Sequence, residues 1–388
     1  MISVVVPVRN DPERLRKCLS SLGQSTHVDY ELIVVDDAST DSTADVAKGL
    51  GVTLLQLDRR SGPGVARNHG ARAAKGEIIM FVDADVCVHR DTLAQFARAF
   101  SGSESPDAVF GAYDLTPPEP NLISQYKNLS HHFVHWQGAG EAATFWAGCG
   151  AVRREAFWSV GGFDPAYERP SIEDIELGVR LRRAGRRVLL RPEIQGTHLK
   201  RWTLVGLFKS DLWDRAVPWT ELILRDGRLP DTLNLGAAQR LSALLAYAAC
   251  GLLLVATAFR PAALLLPLLL VLFVWAGETA SDVGSRPARV LMALVSGVAL
   301  AGVALVGVAL GPWMLVLAAP VAASVILNRS FYAFFWRQRG PLFALYVVPL
   351  QLAYYVYSGA GFAIGALRHL RRGAPSSAAS PPASGAPS

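Results

Sequence analysis

Beyond about Arg240 the chain changes character. Apolar runs at about 241–259, 262–276, 290–310, 313–327 and 342–367 hold no Asp, Glu, Lys or Arg, whereas the residues before them mix both signs of charge. Some 20 residues of helix are needed to cross the hydrocarbon of a bilayer. Each run is near that length, the second and fourth being short. Two regions in two different solvents follow, and a hydrophobic share of 51% over 388 residues agrees with that division. Arg260-Pro261 and Gly311-Pro312 split longer stretches into helical hairpins, so four or five spans are expected over 241–372. With the first region inside, Arg286 and Arg289, then Arg329, Arg337 and Arg339, fall in cytoplasmic loops. A fifth span would carry Arg368, Arg371 and Arg372 outside, which is why the count stays at four or five.

Residues 203–240, with Trp213 and Trp219 among mixed charges, suit amphipathic helices in the headgroup layer. The aromatic run Phe331, Tyr332, Phe334, Phe335 and Trp336 reads as interfacial too. From Gly373 to Ser388 the Ala/Ser/Pro/Gly composition has nothing to bury and is expected to be disordered. The chain opens directly on the strand-like Ile2-Ser3-Val4-Val5-Val6, without the basic-then-apolar order of a secretory signal. The first region is therefore expected in the cytoplasm, at the inner cell membrane. The 4 cysteines are far apart and form no CxxC pair, which argues against a disulfide framework and a zinc site. A formal net charge of +6 suits nucleic acid, an anionic bilayer or a phosphorylated substrate. The membrane segments favour the last two and set nucleic acid aside.

Before residue 115 five strand-like runs appear: Ile2–Val6, Glu31–Val35, Val52–Leu57, Glu77–Val82 and Ala108–Tyr113. Helix-length amphipathic pieces separate the early ones. Such alternation predicts an α/β domain over 1–202 with a mostly parallel, Rossmann-like sheet. Asp11-Pro12-Glu13 places a capping residue before a proline at the first helical position, Leu15, Leu19 and Leu22 share one face, and Gly23 ends the helix. In open sheets of this class ligands gather beyond the carboxyl ends of the strands. Asp36-Asp37 and Asp83-Ala84-Asp85 both fall there. A dinucleotide fold would need a glycine-rich turn after the first strand; the turn here is Pro7-Val8-Arg9-Asn10-Asp11 and has none.

Residues i and i+2 of an extended segment point the same way, so Asp83 and Asp85 can present oxygens to one hydrated divalent ion. Four elements then stand in order: Val4-Val5-Val6-Pro7-Val8-Arg9-Asn10, Val34-Val35-Asp36-Asp37-Ala38-Ser39-Thr40-Asp41, Gly62-Pro63-Gly64-Val65-Ala66-Arg67-Asn68-His69-Gly70 and Asp83-Ala84-Asp85. Together they make the first 200 or so residues resemble a family 2 glycosyltransferase of the GT-A fold. That resemblance implies a nucleotide-sugar donor, a UDP-sugar first among them, held by Pro7, Arg9, Asp37, Arg67 and Asp83, with Asp36 the alternative to Asp37 at the base. It also implies Mg²⁺ or Mn²⁺ on Asp85 and Asp83. Many relatives carry an aromatic residue where this chain has Arg9, whose guanidinium plane can stack on a base as well.

Past Tyr113 the alternation stops. Ser124 to Trp136 contains His131, His132 and His135, read as an aromatic and polar surface facing acceptor or membrane rather than a metal cluster. Further on, Glu173-Asp174-Ile175-Glu176-Leu177 resembles the family segment that begins a helix and supplies the catalytic base, here Asp174. A sugar hydroxyl needs a positioned base, whereas the diphosphate leaves once a metal neutralises it, so one base and one metal suffice for an inverting displacement. The arginines from Arg180 to Arg187 read mostly as a solvated face. His198-Leu199-Lys200-Arg201-Trp202 is similar to the QxxRW signature of processive synthases, with His198 in the glutamine position. The resemblance places His198 near the metal or diphosphate and Trp202 near the acceptor.

The expected function is a membrane-bound inverting glycosyltransferase with a lipid or lipid-linked hydroxyl acceptor. Spans only after the catalytic region argue against a polymer channel, and an ionised polyprenyl phosphate would have less need of a base. Both remain alternatives. A non-catalytic scaffold or flippase is the rival from another class, and the intact Asp37, Asp83, Asp85 and Asp174 speak against it.

Overall fold

The computed structural model describes residues 1–102, 105–227, 236–282 and 285–372. Nine strands form one sheet: β1 (Ile2–Val8), β2 (Tyr30–Asp36), β3 (Thr53–Gln56), β4 (Ile78–Val82), β5 (Val86–Val88), β6 (Ala108–Tyr113), β7 (Gly140–Glu141), β8 (Cys149–Arg153) and β9 (Val188–His198). Their order is β3-β2-β1-β4-β8-β6-β9-β5, with β7 beside β9. The first four run parallel, Val6 lying opposite Val34 and Val5 opposite Phe81. β8 enters antiparallel between β4 and β6, and β6 and β9 are again parallel. The mostly parallel sheet expected from the alternation is therefore present. The five strand-like runs correspond to β1, β2, β3, β4 and β6. β5, β8 and β9 lie where motifs rather than periodicity were legible.

Alternation of side chains divides the core in two. On one face Val4, Val6 and Val34 pack under α1 (Pro12–Gly23) with Leu15, Leu19 and Leu22. Each of those leucines contributes about 2 kcal/mol of burial. Asp11 Oδ1 accepts the Arg14 amide at 3.3 Å, satisfying one donor of the first turn. After α2 (Thr43–Gly49), the other face carries Val5, Ile33 and Phe81 against Ala66 and Ala71 of α3 (Pro63–Ala73). α4 (Thr92–Ala99), α5 (Leu122–Gln137), α6 (Arg154–Ser159) and α7 (Glu173–Arg183) complete the domain. Two of the arginines in and just after α7 are less solvated than expected. Arg180 grips Glu176 four residues back, and Arg186 reaches Asp107 at 3.3 Å.

α8 (Leu204–Lys209), a π-helical turn over Ser210–Ala216 and α9 (Val217–Asp226) lead to the apolar helices. These are α10 (Ala237–Phe259), α11 (Leu265–Asp282, after a 3₁₀ turn), α12 (Arg286–Leu310), α13 (Pro312–Leu327), α14 (Arg329–Arg339) and α15 (Pro341–Arg372). Among the described residues four helices are long and apolar enough to cross a membrane, or five if the pair α13–α14, bent by 77°, is one broken span. They turn large aliphatic residues outward, Leu254 being 72% and Val308 81% exposed, as lipid-facing helices do. The run 313–327, expected as a span, is thus the first limb of a bent pair. Asn328 sits at the break and donates through Nδ2 to Ser242 Oγ and Ser324 O. The aromatic α14 then turns under α5, with Phe331 5.3 Å from Phe133 and Phe335 6.1 Å from Tyr126.

Polar contacts join the domain to the helices. Glu278 of α11 accepts from Asn121 Nδ2 at 2.7 Å and from the Ile123 amide at 2.9 Å, serving the first turn of α5 in place of a local cap. Tyr126 donates to Gln351 of α15 at 2.7 Å. Arg201 pairs with Glu119 and Asp282. The expected tail 373–388 and part of the 203–240 segment lie outside the described residues.

Candidate active site

The carboxyl ends of β1, β2 and β4 open onto a cavity of ≈ 1390 Å³. Pro7, Arg9, Asp37, Arg67, Asp83, Asp85, Asp174 and His198 all line it. The turns that carry the first of these are tightly tied. Asn10 and Ala38 adopt left-handed backbones, with φ of 51° and 53°, and Asn10 Oδ1 accepts the Thr40 amide at 2.8 Å. Asp36 and Asp37 part company here. Asp36 is buried, accepting from the Ser39 amide and from Gln56 Nε2, and does not line the cavity. Asp37 does, while its oxygens accept the Ser61 and Gly62 amides at 2.6 and 2.9 Å. A carboxylate has lone pairs to spare beyond those two. Gly62 has φ 89°, and a side chain there would meet the Glu168 carbonyl 2.6 Å away.

Arg67 is 4% exposed, with one terminal nitrogen on Asp83 Oδ1 at 2.7 Å and the other on Glu173 Oε1 at 2.8 Å. It therefore ties the end of β4 to the start of α7. Glu173 is spent on that bond and on the Ser171 amide. Its neighbour Asp174 is the less buried member of the pair, anchored by the Ala147 amide at 3.1 Å. Burial and the adjacent Glu173 push the Asp174 carboxyl up to about 6, Arg67 and two amides opposing. A base with that property is well matched to neutral solution.

Asp85 Oδ2 faces His198 Nε2 at 3.4 Å and Arg14 at 3.8 Å. Burial works against its charge, but His198, Lys200 and Arg14 outweigh it and hold the carboxyl below the usual range. His198 Nδ1 lies 2.6 Å from Asn128 Oδ1 and carries the hydrogen of that bond; the ring also stacks on Tyr113 at 4.3 Å. With Nδ1 so engaged, Nε2 is the ring nitrogen that faces the Asp85 carboxylate, and a cation between the two would replace that direct contact. Holding the other ring nitrogen by a polar partner is also how metal-ligating histidines are oriented. Asp85 and His198 thus fit a divalent ion as two ligands. Among the described residues no group of three His, Cys, Asp or Glu is arranged to hold a metal, so further ligands would come from water and substrate.

The three histidines of α5 form no metal cluster. His131 and His135 stack 6.4 Å apart at the cavity, whereas His132 is buried elsewhere against the Tyr113 carbonyl. Sequence reasoning missed Asn128, Lys127, Asp211 and Arg215. Lys127 is buried, its Nζ 2.6 Å from Asp211 Oδ1, and Asp211 Oδ2 accepts Tyr357 OH of α15 at 2.9 Å. A lysine among the apolar residues of an amphipathic helix was the one available signal. The cavity continues past this triad to Tyr247 of α10 and to Tyr354, Ser358 and Phe362 of α15.

A mixed, mostly parallel sheet with acids gathered at the ends of its central strands, followed by helices long and apolar enough to cross a membrane, is a GT-A-like architecture with a helical region after it. Residues 3–161 match the family described as glycosyl transferase family 2, and the first domain is a family 2 glycosyltransferase domain. Validoxylamine A glucosyltransferase of Streptomyces hygroscopicus subsp. jinggangensis is 28% identical over 225 residues, covering 48% of this chain and 52% of its own. A PGL/p-HBAD biosynthesis glycosyltransferase of Mycobacterium bovis is 39% identical over 118 residues, 29% of this chain and 46% of its own. The chain spans about half the length of such curated relatives. Among solved structures, mannosyltransferase PcManGT from Pyrobaculum calidifontis, in complex with GDP-Man and Mn²⁺, covers 93% of this chain and 86% of its own at 17% identity and a TM-score of 0.48.

Proposed function

We propose that the chain is a membrane-bound, inverting, metal-dependent glycosyltransferase that takes a sugar from a nucleotide donor, a UDP-sugar first among the candidates, to a lipid or lipid-linked hydroxyl at the cytoplasmic face. The supporting observation is that one cavity is lined by Asp83 and Asp85, by the raised carboxyl of Asp174 and by residues of the apolar helices α10 and α15. In this reading Asp37 and Arg9 take the base together with Pro7, and all three line the cavity. Asp85 and His198, with Asp83 alongside, would hold Mg²⁺ or Mn²⁺, which supplies charge neutralisation for the departing diphosphate. Asp174 removes the proton from the acceptor hydroxyl as its oxygen attacks the anomeric carbon from the side opposite the leaving group. Arg67 keeps Asp83 and the Glu173-Asp174 turn in fixed relation. The neighbour in complex with GDP-Man and Mn²⁺, and another, Staphylococcus aureus TarS in complex with UDP-GlcNAc, are named for donors of this kind.

The test is a panel of radiolabelled UDP-, GDP- and dTDP-sugars incubated with membranes holding the full chain and Mn²⁺. Label is expected in the lipid extract and absent with Asp85→Ala. Label in polymer alone would sink the lipid acceptor, and no metal-dependent turnover with any donor would favour a non-catalytic scaffold.

A further inference from the structure

Between the acids of the sheet end and the tyrosines of the membrane helices, the cavity wall is strongly cationic. Lys127, Lys200, Lys209, Arg169 and Arg215 line it there, and the acids among them are Asp211 and Asp214. Asp211 is used up by Lys127 and Tyr357. Lys200 instead rests its Nζ 4.0 Å over the Trp202 ring, and Arg215 leans on His131 Nε2 at 3.2 Å; neither forms an ion pair among the described residues. Trp202 is 3% exposed, lines the same cavity, and keeps its Nε1–H buried with no acceptor. A buried donor left unpaired costs about 1–3 kcal/mol, and like charges crowded at a cavity wall repel. Burial and these mutual repulsions pull the Lys127 ammonium down to about 8, although Asp211 pulls the other way.

The position of the cluster matters as much as its charge. Ser171 Oγ donates to the Asp214 carbonyl at 2.7 Å, so the π-helical turn bearing Asp211, Asp214 and Arg215 abuts the loop that leads into Asp174. Lys200 follows His198 by two residues. Beyond, the lining becomes Leu244, Tyr247, Tyr354 and Phe362, an apolar wall with few charges. Gly359 lets the ring of Tyr247 pack directly against α15, since a side chain there would lie 2.6 Å from it.

We infer that this wall is a binding site for the phosphate of an anionic amphiphilic acceptor, with Lys200, Arg215 and Trp202 Nε1–H as its donors. The inference rests on the transfer reading above and deepens it. The phosphate anchors the acceptor, and a separate hydroxyl of the same molecule faces Asp174. Arginine and lysine together with an indole N–H form a donor set suited to a phosphate monoester or diester. The hydrocarbon of such a molecule runs between α10 and α15, towards the bilayer.

The test uses the full chain in detergent micelles, with titration calorimetry of farnesyl phosphate, farnesol and inorganic phosphate as probes, and of UDP and GDP with Mn²⁺. Farnesyl phosphate is expected to bind at least tenfold more tightly than either farnesol or inorganic phosphate. Arg215→Gln, and separately Trp202→Phe, which keeps a ring and removes only the N–H, should weaken it about tenfold while nucleotide affinity stays within twofold. Having no hydroxyl besides its phosphate, farnesyl phosphate should compete with the natural acceptor and acquire no sugar. Equal binding of farnesol would mean that the site reads only the chain, and equal binding of inorganic phosphate would make it a free-anion site. Parallel loss of nucleotide affinity in the variants would assign the cations to the donor. Sugar on farnesyl phosphate would make the phosphate the nucleophile. Each of these four outcomes overturns the inference. Failure to label any lipid, with the binding results as expected, would instead remove the transfer reading and leave the anion site standing.

Discussion

The two ends of the cavity are built by different means. At the sheet end, Asp37, Asp83 and Asp85 emerge from turns that begin where a strand stops; the Ser61 and Gly62 amides hold Asp37, while Arg67 pairs with Asp83 and His198 and Arg14 face Asp85, all partners within the same domain. At the helix end, Lys127, Asp211 and Tyr357 come from three elements far apart in the chain and hold one another through side chains alone. The first end therefore draws all its partners from the domain itself. The second exists only when the domain and the helices are docked.

Damage to each end should therefore differ in kind. The largest effect is expected from Asp174→Asn, which removes the base and should cost about 10²- to 10⁴-fold in turnover with nucleotide affinity unchanged by calorimetry; a loss under tenfold would exclude that role. Asp85→Ala, or chelation by EDTA, should cost about 10³-fold, and Mn²⁺ titrated into the variant should give a weaker paramagnetic-resonance binding curve. Lys127→Met acts on the fold rather than the chemistry. It leaves the Asp211 charge buried without its cation, worth about 3–5 kcal/mol and read as a lower melting temperature in detergent, which Asp211→Leu in the same chain should largely restore.

A pH profile probes the base without mutation. Burial and Glu173 raise the Asp174 carboxyl to about 6, and the base works only when ionised. Activity is therefore present above that value and lost as pH falls through it, about tenfold per unit further down; kcat/KM that stays flat to pH 5 would rule the assignment out. The smallest effect is expected from Glu278→Ala, which strips the distant cap from α5 and should cost about 1–2 kcal/mol in thermal stability, leaving UDP and GDP affinity alone.

The same contrast explains what the sequence disclosed. Strand runs, the DxD spacing and the Glu173-Asp174 pair are local patterns, and Asp83, Asp85, Glu173 and Asp174 line one cavity. The resemblance put Asp37 ahead of Asp36, and the structure parts them by their partners, Asp37 lining the cavity while Asp36 is buried against the Ser39 amide and Gln56. β5, β8 and β9 escaped notice because buried strands of three to eleven residues next to glycines and arginines carry no clear period. The cation cluster was beyond reach for another reason. Lys127 and Arg215 look like ordinary surface charges until helix docking buries the one and sets the other over a histidine. The bend at Asn328 was likewise hidden, since the apolar run before it has nearly the length of a span.

The bond from Tyr126 to Gln351 bridges 225 positions. At roughly 5–20 residues per second, a ribosome needs on the order of tens of seconds to travel that far. During that interval the nascent domain has its acids in place but no wall opposite them. On the proposed reading competence thus arrives late, with α15, and a chain that has not seated its closing helix has no finished pocket in which to waste a donor sugar.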